Sequence, residues 1–298
     1  MLRSRLLALI FVALPASLTG HTDINETIKA LSATIEEAPT ADLFFQRATE
    51  YRALREKSHT LEDLRAALKL EPKHRASIIA LIGELGKGDE ALSTAQKLVK
   101  DSQGLREAQE AIFLVANVHH LRNDYAESLR HCKMIQEIST DLSTDTDLLL
   151  VENLFKLKRT GDAASFLKEA WKSHHSIVFR NLWIDTALSA RQTKEVLPII
   201  EEELGSSRFR SSWLIRRARA FLVLDKKKSA QTDLRSALVE ISPRINPERP
   251  DFTLIADRGL IHALIGKKAL AKRDLEILEK SGYSPKAFRL LREALAEK

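Results

Sequence analysis

Apolar residues keep two periods at once along this chain. The short period is helical: Ile24, Ile28, Leu31 and Ile35 are spaced 4, 3 and 4 apart, one stripe of a helix over residues 22–37. Asp23 followed three residues later by Glu26 supplies an N-terminal capping pair, and Pro39 ends the segment. The long period is a step of about 34 residues, a length that suits one helical hairpin. Leu64, Leu98, Cys132, Phe166, Ile200 and Leu234 are all apolar, and so are Ala48, Ile82, Ala116, Leu150, Ile184 and Ala218. With 44% hydrophobic residues overall, an unbroken run in both columns marks an internal repeat. Local text returns as well: TLEDLRAALKLEP at 60–72 comes back as AQTDLRSALVEISP at 230–243, and Leu64 and Leu234 lie five such steps apart.

Each step predicts a pair of helices. In the first pair one helix runs from about Asp42 to Leu54 and the other from about Leu61 to Leu70. Antiparallel helices approach closely only over small side chains, here Ala48 and Ala67, while Phe44, Tyr51 and Leu64 fill the space around them. One pair cannot bury both of its faces, so the pairs must stack. A third unit starts near Gln109, with Ile112, Ala116, His119, an Asn123-Asp124-Tyr125 turn, Ser128, Cys132 and Ile135. A sixth starts at Ser211, with Leu214, Ala218, Phe221, Ala230, Leu234, Ala237 and Pro243. A seventh follows the proline-bearing loop ISPRINPERPD and puts Gly259 at the close-contact position. The spans 75–103, 143–173 and 177–204 keep the spacing less well: Ala91 sits three residues ahead of its column, and Pro198 is expected in the first turn of a helix. The terminal SPKAFRLLREALAEK reads as a closing helix, capped by Ser284, with Pro285 at its first position and Ala287, Phe288, Leu291 and Leu295 on its buried face.

The first unit resembles the tetratricopeptide repeat (TPR) family. From Ala41, Phe44, Ala48, Tyr51, Ala67 and Pro72 match that family's large, small, aromatic, small and proline positions, with Thr60 and Leu64 as mild departures. The resemblance covers about residues 41–280 and is specific in the first, third and sixth units. It implies an all-α fold, a right-handed superhelical solenoid of antiparallel helix pairs, with about seven repeats and capping helices. The expected layout is a leader at 1–20, an N-terminal capping helix at 21–40, units one to six at 41–244, a loop at 245–251, unit seven at 252–281 and a C-terminal cap at 282–298.

The first twenty residues, MLRSRLLALIFVALPASLTG, have the parts of an export signal: Arg3 and Arg5, an apolar run from Leu6 to Leu14, and Pro15 before small residues. Cleavage is expected after Gly20, with Thr19 the alternative and a retained signal anchor the third possibility. A periplasmic or extracellular protein of bacterial origin follows. Asn25-Glu26-Thr27 fits the glycosylation sequon, which matters only in a eukaryotic secretory route.

Composition narrows the picture a little. Glycine (10), proline (8) and aromatics (6%) are scarce, as suits helix interiors. The chain has 47 basic and 41 acidic residues, and its net charge of +6 includes Arg3 and Arg5, so +4 remains without them. Charge this well mixed describes solvated helix faces and argues against nucleic acid as a partner. The lone cysteine, Cys132, falls on an apolar column and can form no internal disulfide.

No catalytic motif is present: there is no GxxxxGK[ST], HExxH or GxSxG, and GELGKG at 83–88 reads as a helix end and turn. His119 occupies the aromatic column opposite His131, as a core histidine, and His174 and His175 sit at a helix end. No cofactor is expected. The one metal candidate is His21, which cleavage after Gly20 would place at the N-terminus, where amino group and imidazole chelate copper together. An exported metal or small-ligand binder, using His21 or a pocket between helices, is therefore the alternative function.

The leading expectation comes from the resemblance. First helices of TPR repeats line a concave groove that takes a protein or peptide, here through Asp42, Phe45, Thr49 and Arg52 in unit one and Glu110, Phe113, Asn117 and His120 in unit three. Unit six adds Ser212, Ile215, Arg219 and Leu222. The family's carboxylate clamp is absent, because Phe45 and Thr49 stand where it needs lysine and asparagine. Arg208, Arg210, Arg216, Arg217 and Arg219 form a basic cluster suited to an acidic segment. The expected protein is a scaffold without catalysis.

Overall fold

The computed structural model describes residues 23–138 and 143–296; the leader, the expected cleavage site and His21 lie outside them. Sixteen α-helices and one short 3-10 turn make up the regular structure of the described residues, which contain no strand. The described residues divide into two compact units, residues 23–138 and 143–296.

In the first unit, α1 (Ile24–Glu37) precedes three hairpins: α2 (Ala41–Ala53) with α3 (Lys57–Leu70), α4 (Arg75–Leu85) with α5 (Asp89–Asp101), and α6 (Leu105–Leu121) with α7 (Tyr125–Ile138). The Asp23 carboxylate accepts from the Asn25 amide at 3.1 Å, and Thr40 Oγ1 accepts from the Leu43 amide at 3.2 Å. These caps satisfy amides that the helix cannot bond itself.

In the second unit, α8 (Thr144–Lys156) pairs with α9 (Thr160–His174), α10 (Ile177–Ser189) with α11 (Val196–Ser206), α12 (Ser211–Val223) with α13 (Lys227–Ile241), and α14 (Phe252–Leu264) with α15 (Lys268–Lys280). The 3-10 turn Ser242–Arg244 opens the proline-bearing loop, and Asp251 caps α14 through the amides of Thr253 and Leu254. The unit ends in α16 (Arg289–Ala296).

The long period is the burial pattern of these hairpins. Ala48, Ile82, Ala116, Leu150, Ile184 and Ala218 lie in the first helix of successive hairpins, and all are buried. In the second helices Leu64, Leu98, Cys132, Ile200 and Leu234 are buried, but Phe166 is only half-buried and its neighbour Leu167 is fully buried instead. The cause lies in the hairpin turns. Each passes through one residue in the left-handed region: Arg55, Gly86, Asn123, Lys158, Arg191, Asp225 and Gly266, with φ between 57 and 81°. Counted from that residue, Leu64 corresponds to Ala95, Cys132, Leu167, Ile200 and Leu234, all buried, and to Leu275, which is half-buried. The second hairpin turns three residues early and the fourth one residue late, which explains the displaced Ala91 and the half-exposed Phe166.

Three helix starts differ from the sequence pattern, and the first of them is α6, which begins at Leu105, four residues before Gln109. α3 begins at Lys57, four residues before Leu61, because the chain reverses at Arg55 while the Glu56 amide bonds back to the Tyr51 carbonyl at 2.9 Å. The closing helix begins at Arg289 and not at Pro285: the Ala287 and Arg289 amides reach carbonyls only three residues back, a tighter turn than an α-helix allows. As a result Phe288 and Leu291 are buried and Ala287 is exposed.

Candidate functional site

The expected groove residues fall in both units. In the first, Phe45 and Thr49 are half-buried on α2 and Arg52 is exposed. The Phe45 ring stands edge-on to His74 with centroids 5.8 Å apart, and His74 Nε2 meets Asp42 Oδ1 at 3.0 Å. Thr49 Oγ1 donates to the Phe45 carbonyl at 3.0 Å, along its own helix. Phe113 and Asn117 are half-buried on α6, and His120 places its ring edge-on to Tyr125 at 5.4 Å. Glu110 accepts from Arg75 Nε at 3.0 Å and binds α6 to α4. First helices are thus linked in order, α2 to α4 through Asp42 and His74, and α4 to α6 through Arg75 and Glu110.

In the second unit the basic cluster meets a carboxylate that belongs to the chain itself. Asp185, on α10, accepts from Arg216 Nη2 at 2.8 Å and from Arg219 Nη1 at 2.6 Å. Arg219 also donates to the Asp185 carbonyl at 2.9 Å and to Ser189 Oγ at 3.1 Å. Burial pushes the Asp185 carboxyl up, and the two guanidinium groups outweigh it, holding the group below the usual carboxylate range. The Arg216 guanidinium lies over the Trp213 ring, 4.8 Å from its centroid. Arg208 and Arg210 are exposed and Ile215 is buried. The arginines singled out for an external acidic segment therefore pin α12 to α10.

Arg217 belongs to a different device, which repeats. Its guanidinium makes a two-pronged bond with Asp233, at 2.8 and 2.7 Å. Arg47 does the same with Asp63 at 2.8 and 2.7 Å, and Arg258 with Asp274 at 3.2 and 2.6 Å. In all three the two partners keep the same separation along the chain, with the arginine on the first helix and the aspartate, nearly buried, on the second. Asp63 and Asp233 are the D of the repeated DLR text, and Asp274 opens DLE at the same place. The arginine partner was invisible in the pattern because the end of one helix and a turn separate the two.

One acidic group near this cluster has no such partner. Asp257, on α14, occupies the hairpin position that Arg216 holds on α12, one repeat step and the inserted loop earlier. No hydrogen bond or ion pair joins its half-exposed side chain to another described residue. Burial pushes its carboxyl up to about 6, with Arg216 pulling it down and Asp185 and Asp251 pushing it further up. Apolar and charge periodicity carry no sign of this, since Asp257 becomes distinctive only when α12 and α14 pack.

His119, His131 and His174 are held by neighbours. His119 and His131 stack at 5.3 Å, His119 Nδ1 lies 3.1 Å from Asp124, and His131 Nδ1 lies 2.8 Å from the Glu127 carbonyl. Burial holds His131 below its ordinary range. His174 pairs with Asp147 at 2.7 Å in a nearly buried contact between α8 and α9, a stronger tie than an end-of-helix charge. Among the described residues no cluster of three or more His, Cys, Asp or Glu is arranged to hold a metal ion, and no helix is long and apolar enough to cross a membrane.

Comparison with solved structures places the fold. A tetratricopeptide repeat protein from Parabacteroides merdae is similar at a TM-score of 0.50 and 15% identity, over 85% of this chain and 93% of that one. PilF of Pseudomonas aeruginosa reaches 0.45 at 16% identity, over 68% of this chain and 92% of its own, and YrrB, a TPR protein described as having an unusual peptide-binding site, reaches 0.39 at 15% over 72% and 94%. No protein-family model and no curated protein matches the chain. Identities this low show the fold alone, and the first likeness carries it: successive helical hairpins in a TPR-like solenoid.

Proposed function

We propose that this protein is an exported scaffold that binds a polypeptide partner along its first-helix faces and carries out no chemistry of its own. The observation that carries the reading is the first unit's run of first helices, where Phe45, Phe113, Asn117 and His120 stay half-exposed at the inward repeat positions while the interior closes on alanine, leucine and isoleucine. Aromatic rings held on rigid helices are suited to anchoring an extended chain or a helix. The N-terminal sequence MLRSRLLALIFVALPASLTG supports export.

Photoreactive amino acids at Phe45 and Phe113, introduced one at a time in the producing cells, test the reading. Discrete adducts with a polypeptide are expected there and not from Glu62, on the exposed side of α3. Equal labelling from all three positions would count against the scaffold. The alternative, a binder of metal through His21, is separated by copper titration of the processed protein with and without His21.

A further inference from the structure

The seven hairpin turns can be compared position by position, from the left-handed residue through the four residues after it. In the first unit these stretches read REKSH, GKGDE and NDYAE, with three basic residues and five acidic ones. In the second unit they read KRTGD, RQTKE, DKKKS and GKKAL, with nine basic residues and three acidic ones, and all nine basic side chains are exposed. Helix formation does not ask for this. A helix start carries partial positive charge and favours acidic neighbours, as in α5, which opens on Asp89 and Glu90. In contrast, α9, α13 and α15 place Arg159, Lys226 and Lys267 at the N-cap, where none makes a side-chain capping bond. The three acidic residues are already engaged, Asp162 with Arg159, Asp225 with Lys227 and Glu195 with Lys168.

These basic turns share one edge of the second unit. A Cβ on Gly161 would lie 3.9 Å from Gln192 Nε2, so the fourth turn lies against the fifth. α10 and α12 run parallel. Near their starts the Arg180 guanidinium lies 5.9 Å from the Trp213 ring centroid, and further along Arg219 donates to Ser189 Oγ at 3.1 Å. The fifth and sixth turns therefore leave on the same side. α14 continues the row, with Asp257 in electrostatic reach of Arg216, its equivalent on α12. Two leucines stand among the basic residues: Leu224, just before the sixth turn, is 43% exposed, and Leu270, at the end of the seventh, is 37% exposed. A soluble polyanion would leave both in water, whereas leucine among lysines suits the boundary between phosphate headgroups and acyl chains. We propose that this edge of the second unit rests on an anionic phospholipid bilayer, with its lysines and arginines on headgroup phosphates and Leu224 and Leu270 between the lipids. The contact is peripheral and goes beyond the scaffold reading without depending on it.

Vesicle co-sedimentation tests it. The protein is used without residues 1–20, whose apolar run would itself enter bilayers; every described helix lies beyond them. Binding is expected to phosphatidylcholine vesicles that contain phosphatidylglycerol, not to phosphatidylcholine alone, and it should fall as salt rises. Lys226→Glu/Lys227→Glu/Lys228→Glu should weaken it by about tenfold or more and keep the melting temperature, since acidic residues suit a helix start. Arg208→Glu/Arg249→Glu/Lys280→Glu makes the same charge change away from the turns and should stay within about twofold of the unaltered protein. Leu224→Ser/Leu270→Ser should weaken binding to vesicles and leave binding to soluble polyglutamate unchanged. No preference for anionic vesicles, or equal losses in the two triple variants, would overturn the proposal. So would lysine-dependent binding to polyglutamate combined with vesicle binding that ignores the leucines, because the edge would then serve a soluble polyanion. None of these results touches the adducts expected at Phe45 and Phe113, so this proposal and the scaffold reading can fail separately.

Discussion

Seven hairpin turns pass through the left-handed region, and only two of them use glycine there, Gly86 and Gly266. A side chain in that conformation costs about 1–2 kcal/mol, part of which glycine offsets with its own greater entropy loss. Arg55→Gly or Arg191→Gly should therefore stabilise the protein by about 0.5 kcal/mol, and Gly86→Ala should destabilise it by about 1 kcal/mol, both read by thermal unfolding. The sequence marked these turns only roughly, since arginine, lysine and aspartate carry no turn signal of their own. Asp257 makes a second residue-level test. A carboxyl raised to about 6 when folded, against 3.8 in the free chain, binds more protons folded than unfolded between those values. Its ionised form opposes folding above pH 6, and the opposition fades as pH falls towards 4. Asp257→Asn should raise the melting temperature at pH 7.5 and leave it nearly unchanged at pH 4.

Helices are held in pairs by packing and by the repeated arginine–aspartate fork. Removing one member of a nearly buried ion pair leaves the other without compensation, a loss of about 3 kcal/mol or more. Arg217→Met should reach that loss by chemical denaturation, because it leaves the nearly buried Asp233 carboxylate uncompensated, and adding Asp233→Leu should recover much of it. The seating of α16 depends on a missing side chain. Gly259→Val would push Leu291 out of its notch and should open the C-terminal segment to limited proteolysis, while adding Leu291→Ala should restore part of the protection. Helix existence was legible at this scale from period alone. The start of α16 was not, because the proline and serine that favour an earlier start act locally, whereas Phe288 and Leu291 are placed by their fit against α14.

Across the whole chain, the repeat runs through both compact units, so the boundary between them falls inside a lattice that continues in sequence. The basic cluster on α12 shows what such a lattice conceals. Its arginines looked like a site for a foreign carboxylate, and Asp185, one repeat earlier, supplies it. Export belongs to this scale too. Protein recovered from outside the cytoplasm should have lost everything through Gly20, so intact mass and N-terminal sequencing should find a chain beginning at His21, or at Gly20 if the alternative cleavage is used.

By itself the sequence determined that this is a helical repeat protein, how many hairpins it has and which small residues let the helices touch, because a buried stripe needs only local periodicity to be written. Tertiary structure alone decided which charges are already satisfied. Arg216 and Arg219 met their carboxylate when α10 and α12 packed, and the Asp257 carboxyl was pushed up when α14 joined them. An ion pair across neighbouring repeats depends on distances of a few ångströms between residues a full repeat apart in the chain, and no spacing rule along the chain contains those distances.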